Sequence, residues 1–241
     1  MKILSFESSA QSAAVCLTDG ERVVASAFQN CGLTHSRTLL PMAEQLLAGC
    51  GAALSEVDGL AVAAGPGSFT GIRIGVATVK GLAMAADKPC AAVSTLEAMA
   101  WGLLGTGGEV CCVMDARAGQ VYNARFRMTV QGPERLCEDR AVMLEALAQE
   151  IGASAQLLVG DGALLCYTKL KELCPGLRPA PPHLLYPTGF GVSMAARRVF
   201  ESGQAVEASA LRERYLRAPQ AERERLRRLA GENENKLGGS L

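Results

Sequence analysis

The run Leu60-Ala61-Val62-Ala63-Ala64, leading straight into Gly65-Pro66-Gly67-Ser68-Phe69-Thr70-Gly71, constrains the fold of this chain more than any other feature. Five apolar residues without alternation read as a strand covered on both faces, and such a strand belongs to a sheet with helices above and below it. Beyond the glycines, apolar and small residues continue over 72–86 as a helix that ends near Asp87-Lys88-Pro89. Strand, glycine turn and helix in that order make an α/β unit. Backbone N–H groups at a helix N-terminus suit an anion, and glycines let a phosphate come close. Two familiar phosphate loops nevertheless fit poorly. A P-loop needs Gly-Lys-Ser/Thr, whereas Gly71 is followed by Ile72-Arg73; a dinucleotide loop needs G-x-G-x-x-G, whereas the spacing here is G-x-G-x-x-x-G. A tight turn that packs helix against sheet accounts for the same residues.

Strands are expected at 3–6, 13–18 and 22–27, with Asp19-Gly20 as a hairpin turn because two-residue turns of this kind favour positive φ. The spacing of Leu39, Leu40, Ala43, Leu46 and Leu47 predicts a helix over 34–47, which Pro41 must kink or delay. A strand at 91–93 and a helix from Thr95 follow. The glycine-rich stretch 102–108 marks a boundary. The pattern then restarts with strand 110–114, turn Asp115-Ala116-Arg117-Ala118-Gly119, strand 121–126, helix 143–151 and strand 157–159. Proline-rich 179–187 reads as an extended linker, 190–201 as a helix, 221–229 as a solvated charged helix and 231–241 as a frayed end. This order predicts two similar lobes, 1–104 and 105–217, followed by a charged tail at 218–241.

Lys plus Arg and Asp plus Glu each number 24. Zero net charge argues against strong electrostatic capture of nucleic acid by this chain alone, and is compatible with a place in a larger RNA-handling complex. The nine cysteines form no CxxC pair. They read as small buried hydrophobes in a reducing compartment, with neighbours Cys111 and Cys112 on opposite faces of one strand. The apolar start is too short for a signal-peptide core, and no stretch comes near the roughly 18 apolar residues of a membrane span, so a cytoplasmic protein is expected.

Chemistry-bearing residues are few. Ser8, Ser9 and Ser12 lie after the first strand, where hydroxyls can meet a phosphate, and Glu7 can sit near a metal-bound nucleotide or simply cap the turn. The two histidines are His35 and His183. Residue i+4 from His35 is Leu39, which rules out a helical histidine pair for a metal there. No G-x-S-x-G elbow is present. Asp115 and Asp161 end strands of the second lobe, where acids hold magnesium in some ATPases and cap turns in many proteins.

Five segments in series, Ile3-Leu4-Ser5-Phe6-Glu7-Ser8-Ser9, Thr34-His35-Ser36-Arg37-Thr38-Leu39-Leu40-Pro41, residues 65–75, Asp115-Ala116-Arg117 and Tyr215-Leu216-Arg217, closely resemble the bacterial TsaB (YeaZ) family. The resemblance implies an actin-like ATPase fold of two ribonuclease-H-like lobes. It also implies a catalytic paralogue as partner, TsaD, which transfers threonylcarbamoyl to adenosine 37 of tRNA, with the ATPase TsaE joining through the complex. TsaD carries a metal-binding H-x-x-x-H, and the corresponding positions here are Thr95 and Met99. Neither replaces imidazole as a metal ligand. The resemblance thus implies no catalytic residue, no metal and no cofactor of the chain's own. ATP or ADP is expected at the heteromeric interface, and tRNA contact only indirectly. The family usually has Asp where this chain has Glu7.

In the family, partner and homodimer contacts use the helices after the first hairpin and after the glycine loop. Those positions make His35, Leu39, Leu40, Ala43, Leu46, Ile72, Arg73, Ile74 and Ala77 the expected interface, while Glu7, Ser8, Ser9, Gly65, Gly67 and Asp115 are the phosphate candidates. Leu39→Glu with Leu46→Glu is then expected to abolish partner binding and leave the chain folded. The rival reading is an autonomous enzyme of the same fold, a small-molecule kinase or a peptidase.

Overall fold

The computed structural model describes residues 1–217. The charged tail expected at 218–241, including its helix and frayed end, lies outside the described residues. Strands β1 (Lys2–Glu7), β2 (Ala13–Asp19) and β3 (Arg22–Gln29) form an antiparallel meander, and β4 (Gly59–Gly65) and β5 (Cys90–Ser94) join parallel to β1 in the order β3-β2-β1-β4-β5. Helices α1 (His35–Gly49) and α2 (Phe69–Ala86) pack on one face of this sheet; α3 (Thr95–Trp101) and α6 (Gly189–Glu201) pack on the other.

The second sheet repeats the plan. β6 (Glu109–Asp115), β7 (Gln120–Thr129) and β8 (Gly132–Arg135) are antiparallel neighbours, and β10 (Gln156–Val159) and β11 (Leu177–Pro179) join parallel to β6. β9 (Arg140–Met143) adds to β7. Read from β8, the order is β8-β7-β6-β10-β11, the same as in the first sheet. Helices α4 (Leu144–Ile151) and α5 (Ala163–Leu170) take the places of α1 and α2.

The β4 run is buried along its whole length, as its lack of alternation requires. Leu60, Val62 and Ala64 pack under α1 and α2, whereas Ala61 and Ala63 pack under α3 and α6. Cys111 and Cys112 likewise divide between the two cores of the second sheet. Six cysteines are buried, but Cys31 is exposed, so the buried-hydrophobe reading does not extend to it. The hairpin turn sits one residue later than expected: Asp19 pairs with Arg22, so the turn is Gly20-Glu21, with Gly20 at φ +61°. Pro41 is inside α1 rather than at its start. It and Arg37, the residue whose carbonyl loses its helical partner to the proline, are both exposed, so that end of the peptide is open to solvent.

Four other expectations need correction. α2 begins at Phe69, three residues before the expected start, because the Ser68 hydroxyl caps it by accepting from the Gly71 N–H. The stretch 179–187 is not an extended linker: Leu177–Pro179 is strand β11, and a 3-10 turn follows at Pro182–Leu184. Residues 189–214, assigned by sequence to the second lobe, pack on the first. Helix α6 covers the face of β1, β2, β4 and β5, Val206 bridges to Cys90, and Leu211 joins the core beneath α2. α2 is also long and apolar enough by composition to cross a membrane, contrary to expectation, yet Ile72, Val76, Val79 and Ala83 pack on the sheet.

Candidate functional site

The turns after β1, β4, β6 and β10 converge at the carboxyl ends of the parallel strands, where open α/β sheets place their ligand sites. They enclose a cleft of roughly 720 Å³, a volume in the range of small-molecule sites. Ser9, Ala10 and Gln11 line one wall, with Gly67, Ser68 and Phe69 of the glycine turn beside them. Asp115, Ala116 and Arg117 face them from the second sheet with Asp161. His35 enters from the start of α1, and Tyr215 and Arg217 cross from the end of the described chain.

Of the six phosphate candidates, Ser9, Gly67 and Asp115 line this cleft; Glu7, Ser8 and Gly65 do not. Ser8 is buried, its hydroxyl donating to the Gly71 carbonyl. Glu7 is fully buried behind Ser9, with Oε1 accepting from both the Ser9 N–H and the Ser9 hydroxyl at 2.6 Å. Its Oε2 has no partner. Burial raises the carboxyl to about pKa 7, against the lowering effect of the Ser9 bonds, because nothing nearby neutralises the charge. Asp115 serves its own turn, accepting from the Arg117 N–H at 2.8 Å, while Asp161 reaches across to the neighbouring strand end and accepts from the Asp115 N–H at 3.3 Å.

The glycines of the turn are closely packed. A Cβ on Gly67 would meet the Ser9 carbonyl, one on Gly71 the Ser8 carbonyl, and one on Gly75 the Ser8 hydroxyl. The Ser68 N–H donates to the Ser9 carbonyl at 2.7 Å, so part of the turn's donor capacity is spent within the fold. Of the two sequence readings, phosphate cradle and close backbone approach, these contacts match the second. Gly71→Ala forces backbone against backbone where neither side can yield, and is expected to cost about 2–3 kcal/mol of stability, read as a lowered urea midpoint.

The expected interface residues separate by helix face. Leu39, Ala43, Leu46 and Ile72 are buried in the core beneath α1 and α2 and present nothing to a partner, which corrects that assignment. Leu40, Arg73 and Ala77 are exposed, and Ile74 and His35 are half-buried. His35 Nε2 lies 2.9 Å from the Ala10 carbonyl. A carbonyl only accepts, so Nε2 is the donor in this contact, while Nδ1 is buried without a partner. His183 is exposed on the 3-10 turn. Thr95 and Met99 are buried in core packing, and among the described residues no group of three His, Cys, Asp or Glu side chains is placed to hold a metal.

Sequence reasoning missed the Phe69–Arg73–Tyr215 cluster. The Arg73 guanidinium lies 4.0 Å from the Phe69 ring centre, its Nε donates to the Tyr215 hydroxyl at 3.2 Å, and the two rings are 4.9 Å apart. The one signal in the sequence was the presence of both segments among the family-like motifs.

The family described as TsaD: tRNA N6-adenosine threonylcarbamoyltransferase matches residues 29–158, more than half of the chain. The tRNA threonylcarbamoyladenosine biosynthesis protein TsaB of Escherichia coli (strain K12) is 36% identical over 152 residues, 62% of this chain and 65% of that protein. Its namesake in Bacillus subtilis (strain 168) is 35% identical over 144 residues, 60% of this chain and 63% of that one. The matched stretch thus spans just under two thirds of each relative. A solved Pseudomonas aeruginosa protein described as similar to peptidase YEAZ superposes with a TM-score of 0.76 at 28% identity, covering 90% of this chain and 99% of the other. A dehydratase component A from Acidaminococcus fermentans, 10% identical, shares the fold at a TM-score of 0.52. The paired sheets of identical order are those of the actin-like ATPase fold, and within it this chain belongs to the TsaB (YeaZ) branch of the threonylcarbamoyltransferase family.

Proposed function

We propose that this protein is an accessory subunit in the synthesis of threonylcarbamoyladenosine in tRNA, and that it docks a TsaD-type catalytic paralogue on the outer faces of α1 and α2. The observation that carries this reading is α2: a helix of membrane-like apolarity has only a third of its residues buried within the chain. Its outer face presents Ala77, Gly81, Met84 and Ala85, with Met84 72% exposed. Leu40 of the adjacent α1 is 41% exposed. Small residues permit close approach of a partner helix, and an apolar face of this extent calls for a protein cover. The pathway comes from the names of the TsaB relatives.

In this reading the chain supplies no catalytic residue. Thr95 and Met99, standing where TsaD has metal-binding histidines, are committed to the core. TsaE joins through the complex, and tRNA is reached through the partner. ATP or ADP belongs at the heteromeric interface, because the glycine turn of this chain spends part of its donor capacity on packing. A homodimer on the same faces is the competing assembly when the partner is absent.

Leu40→Glu with Ala77→Glu places two carboxylates on that face without touching the core. Association with the TsaD-type partner is expected to weaken at least about 100-fold, close to 3 kcal/mol, with the unfolding transition unchanged. Size-exclusion chromatography of the mixed proteins, followed by a tRNA threonylcarbamoylation assay with and without this chain, makes the test. Undiminished complex formation by the double variant would sink the interface, and magnesium-dependent ATP turnover by this chain alone would favour the autonomous enzyme.

A further inference from the structure

We infer that residues 214–217 are a latch that ties the two lobes across the cleft and links its opening to occupation of α2. The segment is anchored at three places. On the first lobe, the Arg214 N–H donates to the Ala64 carbonyl at 2.7 Å, and the Arg214 carbonyl fills the space where a side chain on Gly65 would stand. Gly65, at φ +129°, is thus a glycine because this strand of chain lies against it. In the middle, Tyr215 stacks on Phe69 and its hydroxyl accepts from Arg73, both residues of the first turns of α2. On the second lobe, Arg217 Nη1 donates to the Ala116 carbonyl at 2.8 Å.

The far anchor lands on a strained turn. Arg117 and Ala118 both hold left-handed conformations, at φ +66° and +52°, followed by Gly119 at +73°. Non-glycine residues keep such conformations only where their surroundings over-determine them. Here the turn is held by its own backbone bonds, from Gln120 N–H to the Arg117 carbonyl and from Ala116 N–H to the Gln120 carbonyl, together with the Asp115 carboxylate on the Arg117 N–H and the Arg217 bond to the Ala116 carbonyl. The cleft cannot widen without breaking the Arg217 bond or unstacking Tyr215, and losing either releases a turn that is already under strain. The middle anchor gives the latch its handle. Tyr215 is held by Phe69 and Arg73, and Arg73 is on the exposed face of α2. A protein that covers the start of α2 competes for Arg73 and loosens Tyr215. The coupling half of this inference rests on the partner reading above; the latch itself does not.

Hydrogen–deuterium exchange of the full chain tests both halves. In Tyr215→Ala and in Arg217→Ala, amides of residues 66–72 and 114–120 are expected to exchange at least about tenfold faster than in the wild type, while α4 is unchanged. Tyr215→Phe keeps the stacked ring and is expected to stay close to the wild type. Both residues are at the surface or half-buried, so the alanine variants retain the core. Unaltered exchange in both alanine variants overturns the latch. Adding the TsaD-type partner to the wild type is expected to speed exchange at 114–120, in the turn between β6 and β7 of the second sheet. A complex that forms and leaves them as protected as before overturns the coupling and spares the latch. Failure to form any complex overturns the partner reading, and the coupling with it.

Discussion

Leu39→Glu combined with Leu46→Glu will unfold this protein, and any loss of partner binding it shows will follow from that. Leu39 is 1% and Leu46 8% exposed, and both lie in the core shared by α1, α2 and the first sheet. Each substitution forfeits about 1.5–3 kcal/mol of side-chain burial. Each also buries a carboxylate among apolar side chains, at a further cost of several kcal/mol unless the group takes up a proton. The sum is comparable with the roughly 5–15 kcal/mol that holds a whole domain together. Far-UV circular dichroism and a urea titration make the comparison, with Leu40→Glu, Ala77→Glu as the surface control. The core variant should show no cooperative transition, and the control should unfold with the wild type. A core variant that unfolds at the wild-type midpoint would mean that the inner face of α1 has been assigned wrongly.

The second large effect is a pH dependence traced to Glu7. Its carboxyl is raised from an ordinary 4.5 to about 7 by burial. The folded state therefore holds a proton that the unfolded chain has already released. Between these two values stability falls as pH rises, and above about 7 the loss is complete. The favourable side is the acidic one, opposite to that of a salt-bridged carboxylate. From pH 5 to pH 8 the group alone removes about 2–3 kcal/mol. Glu7→Gln keeps an oxygen for the two Ser9 bonds and cannot ionise, so it abolishes this component of the slope. Urea midpoints of both proteins at pH 5 and pH 8 isolate the effect, since every other titrating group is common to the pair. Parallel behaviour of variant and wild type would show that Glu7 titrates normally in the fold.

Much of the architecture was legible because it is local. The unalternating run at 60–64 required a strand covered on both sides, the glycines required a sharp turn, and the restart after the glycine-rich 102–108 announced a second similar unit. Adjacent Cys111 and Cys112 divided between two cores because strand geometry leaves them no choice. The short, polar or proline-containing strands β8, β9 and β11 escaped, since none has an apolar period to show. Helix α5 was missed as well, although Leu164 and Leu165 stand beside buried Cys166.

The candidate site was legible only in part, and Leu39 and Leu40 show why. Periodicity makes α1 amphipathic and groups Leu39, Ala43 and Leu46, but which apolar side chain turns to the sheet is decided by what the helix packs on. The glycines at 65, 67, 71 and 75 are equally suited to a phosphate or to another stretch of backbone; only the arrival of Ser8, Ser9 and Arg214 from distant parts of the chain selects the second. Sequence by itself thus determined the longer strands, the glycine turn and the family, because these depend on spacing within a few residues. Tertiary structure alone decided that residues 189–214 return to the first lobe, that Glu7 is sealed behind Ser9, and that Arg217 reaches Ala116, because each depends on contacts between segments far apart in the chain.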